Sequence, residues 1–186
     1  MSKFSYFKTI IKDLIVLERH PIEDSRGTFE RLFCIDDLKI IGWDRPIAQI
    51  NHSITKKKGT VRGLHFQKQP FTEMKLVSCL EGEVWDVAVD LRINSPSFLK
   101  WHAEILSEKN SRALFIPKGF AHGFQTLSDN CKLLYLHSVP YTSEAEVGMN
   151  VNDPLLNISW PLKITEISLK DSEYNLLDLN YMGVSL

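Results

Sequence analysis

Alternating apolar and polar positions dominate the middle of the chain. The segments IAQINHSI (47–54), TVRGLHF (60–66), MKLVSCLEGEVWDVAVDLR (74–92), KWHAEILS (100–107), RALFIP (112–117) and CKLLYLHSV (131–139) alternate or are rich in β-branched residues. Both features fit half-buried strands. Short polar or glycine-containing turns separate them, at Lys56–Gly59, Glu81–Glu83, Asn94–Ser97, Glu108–Ser111 and Ser128–Asn130. Many short strands with frequent turns predict a sandwich or barrel, not a βαβ fold. Residues 8–20 remain open, because IKDLIVLE has some helical spacing as well as β-branched content. PIEDSRGTFERLF reads as a turn around Asp24–Gly27 leading into a strand, and CIDDLKI (34–40) as a short helix. The C-terminal stretches NDPLLNISWP and SLKDSEYNLLD read as loops and short helices laid over the sheets. The expected fold is all-β, a jelly roll or double-sheet β-barrel with short peripheral helices, in one domain over residues 1–186.

Composition narrows the class without naming a chemistry. The 186 residues carry 22 basic and 23 acidic side chains, a formal net charge of -1. That balance argues against a general nucleic-acid surface while leaving room for a local anion pocket. Cys34, Cys79 and Cys131 are too widely spaced for a CxxC pair and predict free thiols in a reducing compartment. The N-terminus lacks a signal-peptide pattern, and no run approaches the 18 apolar residues of a membrane span. A cytoplasmic location with no membrane association is the expectation.

Two histidines in glycine-rich strand settings stand out. His65 lies in GTVRGLHFQ beside Arg62, and His122 lies in IPKGFAHGF. Each alone reads equally well as a structural histidine. Together, on inner strands of a barrel, they could meet across a cavity. PKGFAH resembles the second conserved element of the cupins. The first element of a metal-binding cupin carries a second histidine where this chain has Phe66. A metal site built from His65, His122 and Glu73 therefore looks poor, since zinc and iron want several convergent ligands.

A closer resemblance covers about residues 24–171. DSRGTF, INHSITKKKGTVRGLHFQ, KLVSCLEGEVWDVAVDLRINSPSF, IPKGFAHGFQTLSD, YLHSVPY, NDPLLNISWP and SLKD follow the order found in the dTDP-4-dehydrorhamnose 3,5-epimerase family. The resemblance implies a metal-free, cofactor-free jelly-roll homodimer. It would epimerise C3 and C5 of a nucleotide-linked 4-keto-6-deoxyhexose, most simply dTDP-4-dehydro-6-deoxy-D-glucose to dTDP-4-dehydro-L-rhamnose. It further implies His65 as proton acceptor, Asp171 as its carboxylate partner, Lys75 beside the C4 oxygen and Tyr135 as proton donor. Tyr141 would stack on the base, and Arg26 and Arg62 would contact the diphosphate. Gln49, Asn51, His122, Glu146 and Lys170 complete the implied substrate wall. The chemistry is coherent, because a C4 ketone acidifies the neighbouring C–H bonds and a near-neutral histidine suits the base role.

The chain also departs from the family pattern. Arg31 stands where a glutamate is usual, Ile50 where an aspartate is usual, Leu136 where lysine is common and Pro140 where a second aromatic is common. These changes are expected around the nucleotide and sugar. The altered Arg31 and Ile50 surroundings keep open a C3-only or C5-only epimerase or a ketoisomerase; a noncatalytic cupin that binds a sugar nucleotide or bridges proteins, and a metal-dependent cupin oxygenase, are the alternatives of other classes.

Overall fold

The computed structural model describes residues 3–186. Its strands are, in chain order, β1 (Phe4–Lys8), β2 (Ile15–Arg19), β3 (Ile22–Asp24), β4 (Gly27–Phe29), β5 (Gln49–Thr55), β6 (Val61–Gln67) and β7 (Lys75–Glu81). They continue as β8 (Glu83–Asp90), β9 (Trp101–Ser107), β10 (Arg112–Ile116), β11 (Phe120–Thr126), β12 (Cys131–His137) and β13 (Glu146–Gly148). Two one-turn helices, α1 (Ile35–Leu38) and α2 (Leu169–Ser172), lie outside them. Residues 8–20, open from sequence, resolve into the end of β1, a turn and β2, which pairs antiparallel with β1. The β-branched content wins there because the pair extends a sheet.

Six strands form one sheet in the order β1-β2-β10-β7-β12-β5, and five form another in the order β13-β6-β11-β8-β9. A separate two-stranded hairpin, β3-β4, projects with Asp24 and Gly27 at its tip. Alternation decides what each sheet buries. Val77, Cys79, Leu114, Ile116, Cys131 and Leu133 from the first sheet meet Val84, Ala88, Leu106, Phe120 and Phe124 from the second. Further along β12 and at the start of β7, the same inward positions carry Tyr135, His137 and Lys75, and the apolar layer gives way to a polar cavity.

Both outer faces are covered. Leu17, Leu76, Phe115 and Leu136 pack under Leu38 and Trp43 from the segment between β4 and β5. The C-terminal segment lies over the second sheet, where Val87, Val89 and Ala121 meet Met149, Val151 and Leu156. Trp85 sits edge-on to Trp101 and Trp160, at 5.6 and 5.4 Å between ring centroids. The indole nitrogens of Trp101 and Trp160 donate to the carbonyls of Leu156 and Val151. This packing fixes the course of the tail that delivers α2 to β6.

One irregularity controls the cavity wall. On β11, His122 faces His65 and Phe124 faces Arg62, so two steps on β11 oppose three on β6. The extra residue makes a β-bulge. Without it, Arg62 and His65, three positions apart, would point to opposite faces. Gly63 takes up the bulge with φ +115°, and a Cβ there would stand 2.6 Å from Gly123 Cα and 2.7 Å from the His122 carbonyl. Reciprocally, a Cβ on Gly123 would meet the Arg62 carbonyl at 2.7 Å. The two backbones touch because neither residue has a side chain.

Replacing Gly63 by alanine imposes both the disfavoured φ and the contact with β11. The expected loss is about 2 kcal/mol or more of folding stability, at the upper end of what such backbone strain costs. Urea unfolding measures it, and a G63A midpoint equal to wild type would contradict this account of the bulge.

Candidate active site

The cavity between the sheets holds about 540 Å³ and is walled by β5, β6, β7, β11 and β12. His65 enters from β6. Its Nε2 is hydrogen-bonded to Asp171 Oδ1 at 2.7 Å. Asp171 is buried in α2, where Ser168 caps the helix by accepting from the Asp171 amide. Asp171 Oδ2 accepts from the Gly63 amide at 3.2 Å. Burial pushes the Asp171 carboxyl up, but the hydrogen bonds and charge of His65, with the Gly63 amide, hold it below the usual range. An ionised Asp171 makes Nε2 the protonated nitrogen of a neutral His65, and Nδ1 then carries the ring's lone pair.

A second pair lies behind it. His122 Nε2 and Asp86 Oδ2 are hydrogen-bonded at 2.8 Å. Asp86 is wholly buried on β8, and its Oδ1 has no partner among the described residues. Burial drives the Asp86 carboxyl above its ordinary pKa despite His122 and Lys75. The His122 ring stands edge-on to Tyr135, with centroids 6.2 Å apart.

Lys75 is nearly buried at the start of β7. Its Nζ pairs with Glu73 Oε1 at 2.9 Å and donates to the His65 carbonyl at 3.2 Å. Gln67 Nε2 donates to the other Glu73 oxygen, while Gln67 Oε1 accepts from the Thr142 amide at 2.6 Å. These contacts tie β6, β7 and the loop after β12 around one ammonium group. Across the cavity, the Tyr135 hydroxyl shares a hydrogen bond with Ser53 Oγ at 2.9 Å. Burial raises the Tyr135 phenol well above its ordinary pKa, which keeps its proton on.

Polar groups continue toward the mouth. Asn51 Oδ1 accepts from Gln49 Nε2, and Gln49 Oε1 accepts from the Tyr141 amide. The Tyr141 hydroxyl donates to Glu146, which also pairs with Lys170. Arg62 lines the cavity with its Nε bonded to Thr55 Oγ1 at 3.0 Å. Arg26 is the one expected site residue not brought in. It lies at the exposed β3-β4 tip, paired with Asp24 at 2.6 Å, and does not line the cavity of its own chain. Among the described residues, no group of three or more His, Cys, Asp and Glu side chains is placed to hold a metal ion. Nor is any helix among them long and apolar enough to cross a membrane.

The model of the dTDP-4-dehydrorhamnose 3,5-epimerase family matches residues 8–178. The chain belongs to that family.

Individual relatives agree in extent as well as identity. The Salmonella typhimurium dTDP-4-dehydrorhamnose 3,5-epimerase is 42% identical over 92% of this chain and 94% of its own length. The Bacillus anthracis epimerase, solved with TDP and PPi bound, superposes with a TM-score of 0.90 at 38% identity, covering 94% of this chain and 99% of that one. The Legionella pneumophila dTDP-6-deoxy-D-glucose-3,5-epimerase, solved with dTDP-4-keto-L-rhamnose, gives 0.90 at 40% identity, over 95% of this chain and 94% of that one. The fold is thus the double-sheet jelly roll of the epimerase family, with short helices.

Several departures from the family pattern sit elsewhere than expected. Leu136 does not face the sugar cavity, because alternation on β12 turns it into the outer core with Leu76 and Phe115. Arg31 pairs with Asp37 at 2.9 Å, and Glu30 accepts from Arg19 at 3.0 Å. The first ties the segment after the hairpin to α1, and the second ties it to β2. Ile50 and the Pro140 carbonyl do adjoin the site, at the mouth and on Gln67 respectively.

Sequence reasoning did not single out Asp86, Ser53, Gln67 or His137, and weighed Glu73 only as a metal ligand. The missing signal was alternation. Asp86 lies between the inward residues Val84 and Ala88, and His137 follows Tyr135 by two positions.

His137 generates a pH prediction. Burial first, and then the charge of Lys75, push its imidazole down to about 4. An unfolded histidine titrates near 6.5, so between about pH 4 and 6.5 the unfolded chain binds more protons than the native one. This contribution to stability is complete above pH 6.5 and is lost as pH falls toward 4. NMR titration should find His137 neutral at pH 5.5, and H137N should flatten the fall in unfolding free energy across that window. A His137 midpoint near 6.5 would refute the burial argument.

Proposed function

We propose that the protein inverts C3 and C5 of a dTDP-linked 4-keto-6-deoxyhexose, converting dTDP-4-dehydro-6-deoxy-D-glucose to dTDP-4-dehydro-L-rhamnose. The observation that carries this reading is the opposition of His65, backed by Asp171, and Tyr135, backed by Ser53, across one cavity with Lys75 on its wall. His65 takes the acidified proton, and Asp171 stabilises the imidazolium that forms. The electron pair moves into the enolate, whose oxygen is stabilised by the Lys75 ammonium. Tyr135 returns a proton from the opposite face, which inverts the centre. Side chains supply every group these steps need. Arg62 suits the diphosphate, and Tyr141, with Gln49 and Asn51, suits the nucleoside end near the mouth.

The homodimer belongs to the same reading. Ile50 and Ile54 are 58% and 51% exposed on edge strand β5, and Ile22 and Phe29 are exposed on the hairpin that carries Arg26. Covering such side chains favours association. A second copy is also the route by which Arg26 would reach a substrate. The double variant I50K/I54K should sediment as a monomer where the wild type sediments as a dimer.

A solved 3'-monoepimerase from Streptomyces bikiniensis, bound to dTDP-quinovose, is 30% identical with a TM-score of 0.84. Inversion at one centre is therefore the second reading, and the same assay separates it. With dTDP-4-dehydro-6-deoxy-D-glucose in deuterated water, NMR should show deuterium entering C3 and C5. H65N should lower exchange at both by about 10²–10⁴-fold, the usual weight of a general base. Y135F should depress inversion more than exchange. Exchange at C3 alone would select the monoepimerase, and no exchange with any nucleotide 4-keto sugar would overturn the epimerase reading.

A further inference from the structure

We infer that His137 is a positioning residue for Tyr135, holding the phenol in line for proton delivery by packing a neutral imidazole against its ring. The inference rests on the epimerase reading, since it gives Tyr135 a partner in that reaction.

Tyr135 and His137 are consecutive inward residues of β12, and both line the cavity. Their rings lie 6.3 Å apart between centroids, at an interplanar angle of 24°. This is an offset, near-parallel arrangement, favourable for neutral aromatic rings. On its other side Tyr135 meets the His122 ring edge-on at 6.2 Å and 69°. The phenol is thus flanked by two imidazoles, one from each sheet, and its hydroxyl is tied to Ser53 at the third point. A phenol with one hydrogen bond and no packing can swing about its Cα–Cβ bond. Flanking rings remove that freedom before the substrate arrives, which is how orientation lowers a barrier.

His137 is itself anchored. Asn51 Nδ2 lies 3.4 Å from His137 Nε2, and Asn51 Oδ1 is held by Gln49. With the Asn51 amide as donor, Nε2 is the acceptor nitrogen and the ring is neutral. The backbone pairs His137 with Lys75 on β7 and with Gln49 on β5. The charged Lys75 and Glu73 from the β7 side and the titratable His122 from β11 therefore bear on a ring that must stay uncharged in order to stack beside a cation. A lysine in register with an imidazolium would be repulsive. Neutral His137 meets Lys75 without that penalty, so one wall can carry both the ammonium and the ring that braces the acid.

The test separates proton removal from proton return. H137A, H137F and H137N are compared with wild type for deuterium exchange and for stereochemical inversion of dTDP-4-dehydro-6-deoxy-D-glucose, with urea midpoints recorded for each. H137A should lose roughly ten- to a hundredfold in inversion per exchange event, the scale of a misaligned reacting group, while exchange stays close to wild type. H137F, which keeps a flat ring, should restore most of the ratio, and H137N should not. A second readout needs no turnover. In protein labelled with ¹³C-tyrosine, the ring signals of Tyr135 should lose their histidine-induced shift and average faster in H137A, and recover in H137F.

An unchanged inversion-to-exchange ratio in H137A, an equal fall of both processes, or a Tyr135 spectrum indifferent to residue 137 would overturn the inference. Failure of the wild type to exchange either carbon would instead overturn the epimerase reading, and the Tyr135 spectra would then decide the positioning role alone.

Discussion

The site depends on the contact between two glycines. Gly63 and Gly123 let β6 and β11 approach more closely than any side chain permits, and the extra residue of β6 is absorbed there. Three consequences follow from this one irregularity. Arg62 and His65 both turn inward, although a regular strand would send them apart. The Gly63 amide points at the Asp171 carboxylate. That carboxylate in turn holds His65 Nε2. One bulge therefore sets the direction of Arg62, the direction of His65 and the hydrogen bonding of Asp171. It also explains why the C-terminal tail must be well packed. Asp171 arrives from the far end of the chain, and the cluster of Trp85, Trp101 and Trp160 fixes the path that brings it there.

Within the cavity, the polar groups are held by their neighbours. A charge such as Lys75, taken out of water, requires compensation. Glu73 supplies it, and Gln67 prevents Glu73 from turning away. Tyr135 shares a hydrogen bond with the neutral Ser53, and burial keeps the proton on its phenol. The six-stranded sheet thus contributes the ammonium and the phenol, while the five-stranded sheet contributes both histidines. In the proposed reaction, a sugar ring inserted between the sheets would meet His65 on one face and Tyr135 on the other. Opposed faces are what inversion requires.

Much of this was legible because the strands alternate. Period-two patterning pointed to the all-β class and most strand positions, turn and loop signals to the peripheral short helices, and the ordered family segments to His65, Tyr135, Lys75 and Asp171. What resisted reading was anything set by register or by distant chain segments. The offset between Arg62 and His65 demanded a bulge, but only its pairing with His122 and Phe124 locates it. Leu136 looked like a change in the sugar site because it adjoins Tyr135. In a strand the adjacent residue faces away, and Leu136 belongs to the outer core. Asp86 was overlooked for the converse reason. It sits among valines in a strand that reads as pure core, and only its place in the alternation, between the inward Val84 and Ala88, marks it as facing the interior. Arg26 shows the limit of carrying a residue over by motif, since the hairpin that bears it leaves it outside the cavity of its own chain.

The two histidine–aspartate pairs look alike in composition and differ in physics. Asp171 accepts from His65 and from a backbone amide, and its carboxyl is held low. Asp86 has the single contact to His122, one oxygen with no partner among the described residues, and a carboxyl raised by complete burial. A carboxylate held low stabilises positive charge in front of it, which suits His65 to the base role proposed for it. A carboxyl drawn toward neutrality gives that help weakly, so His122 is better suited to fill space and brace Tyr135 than to exchange protons. On the proposed reading, the same pair of residue types makes a base in one place and a wall in the other. The difference comes from depth of burial and from hydrogen bonding: Asp86 is wholly buried on β8 with one hydrogen bond, while Asp171 also receives the bulge amide.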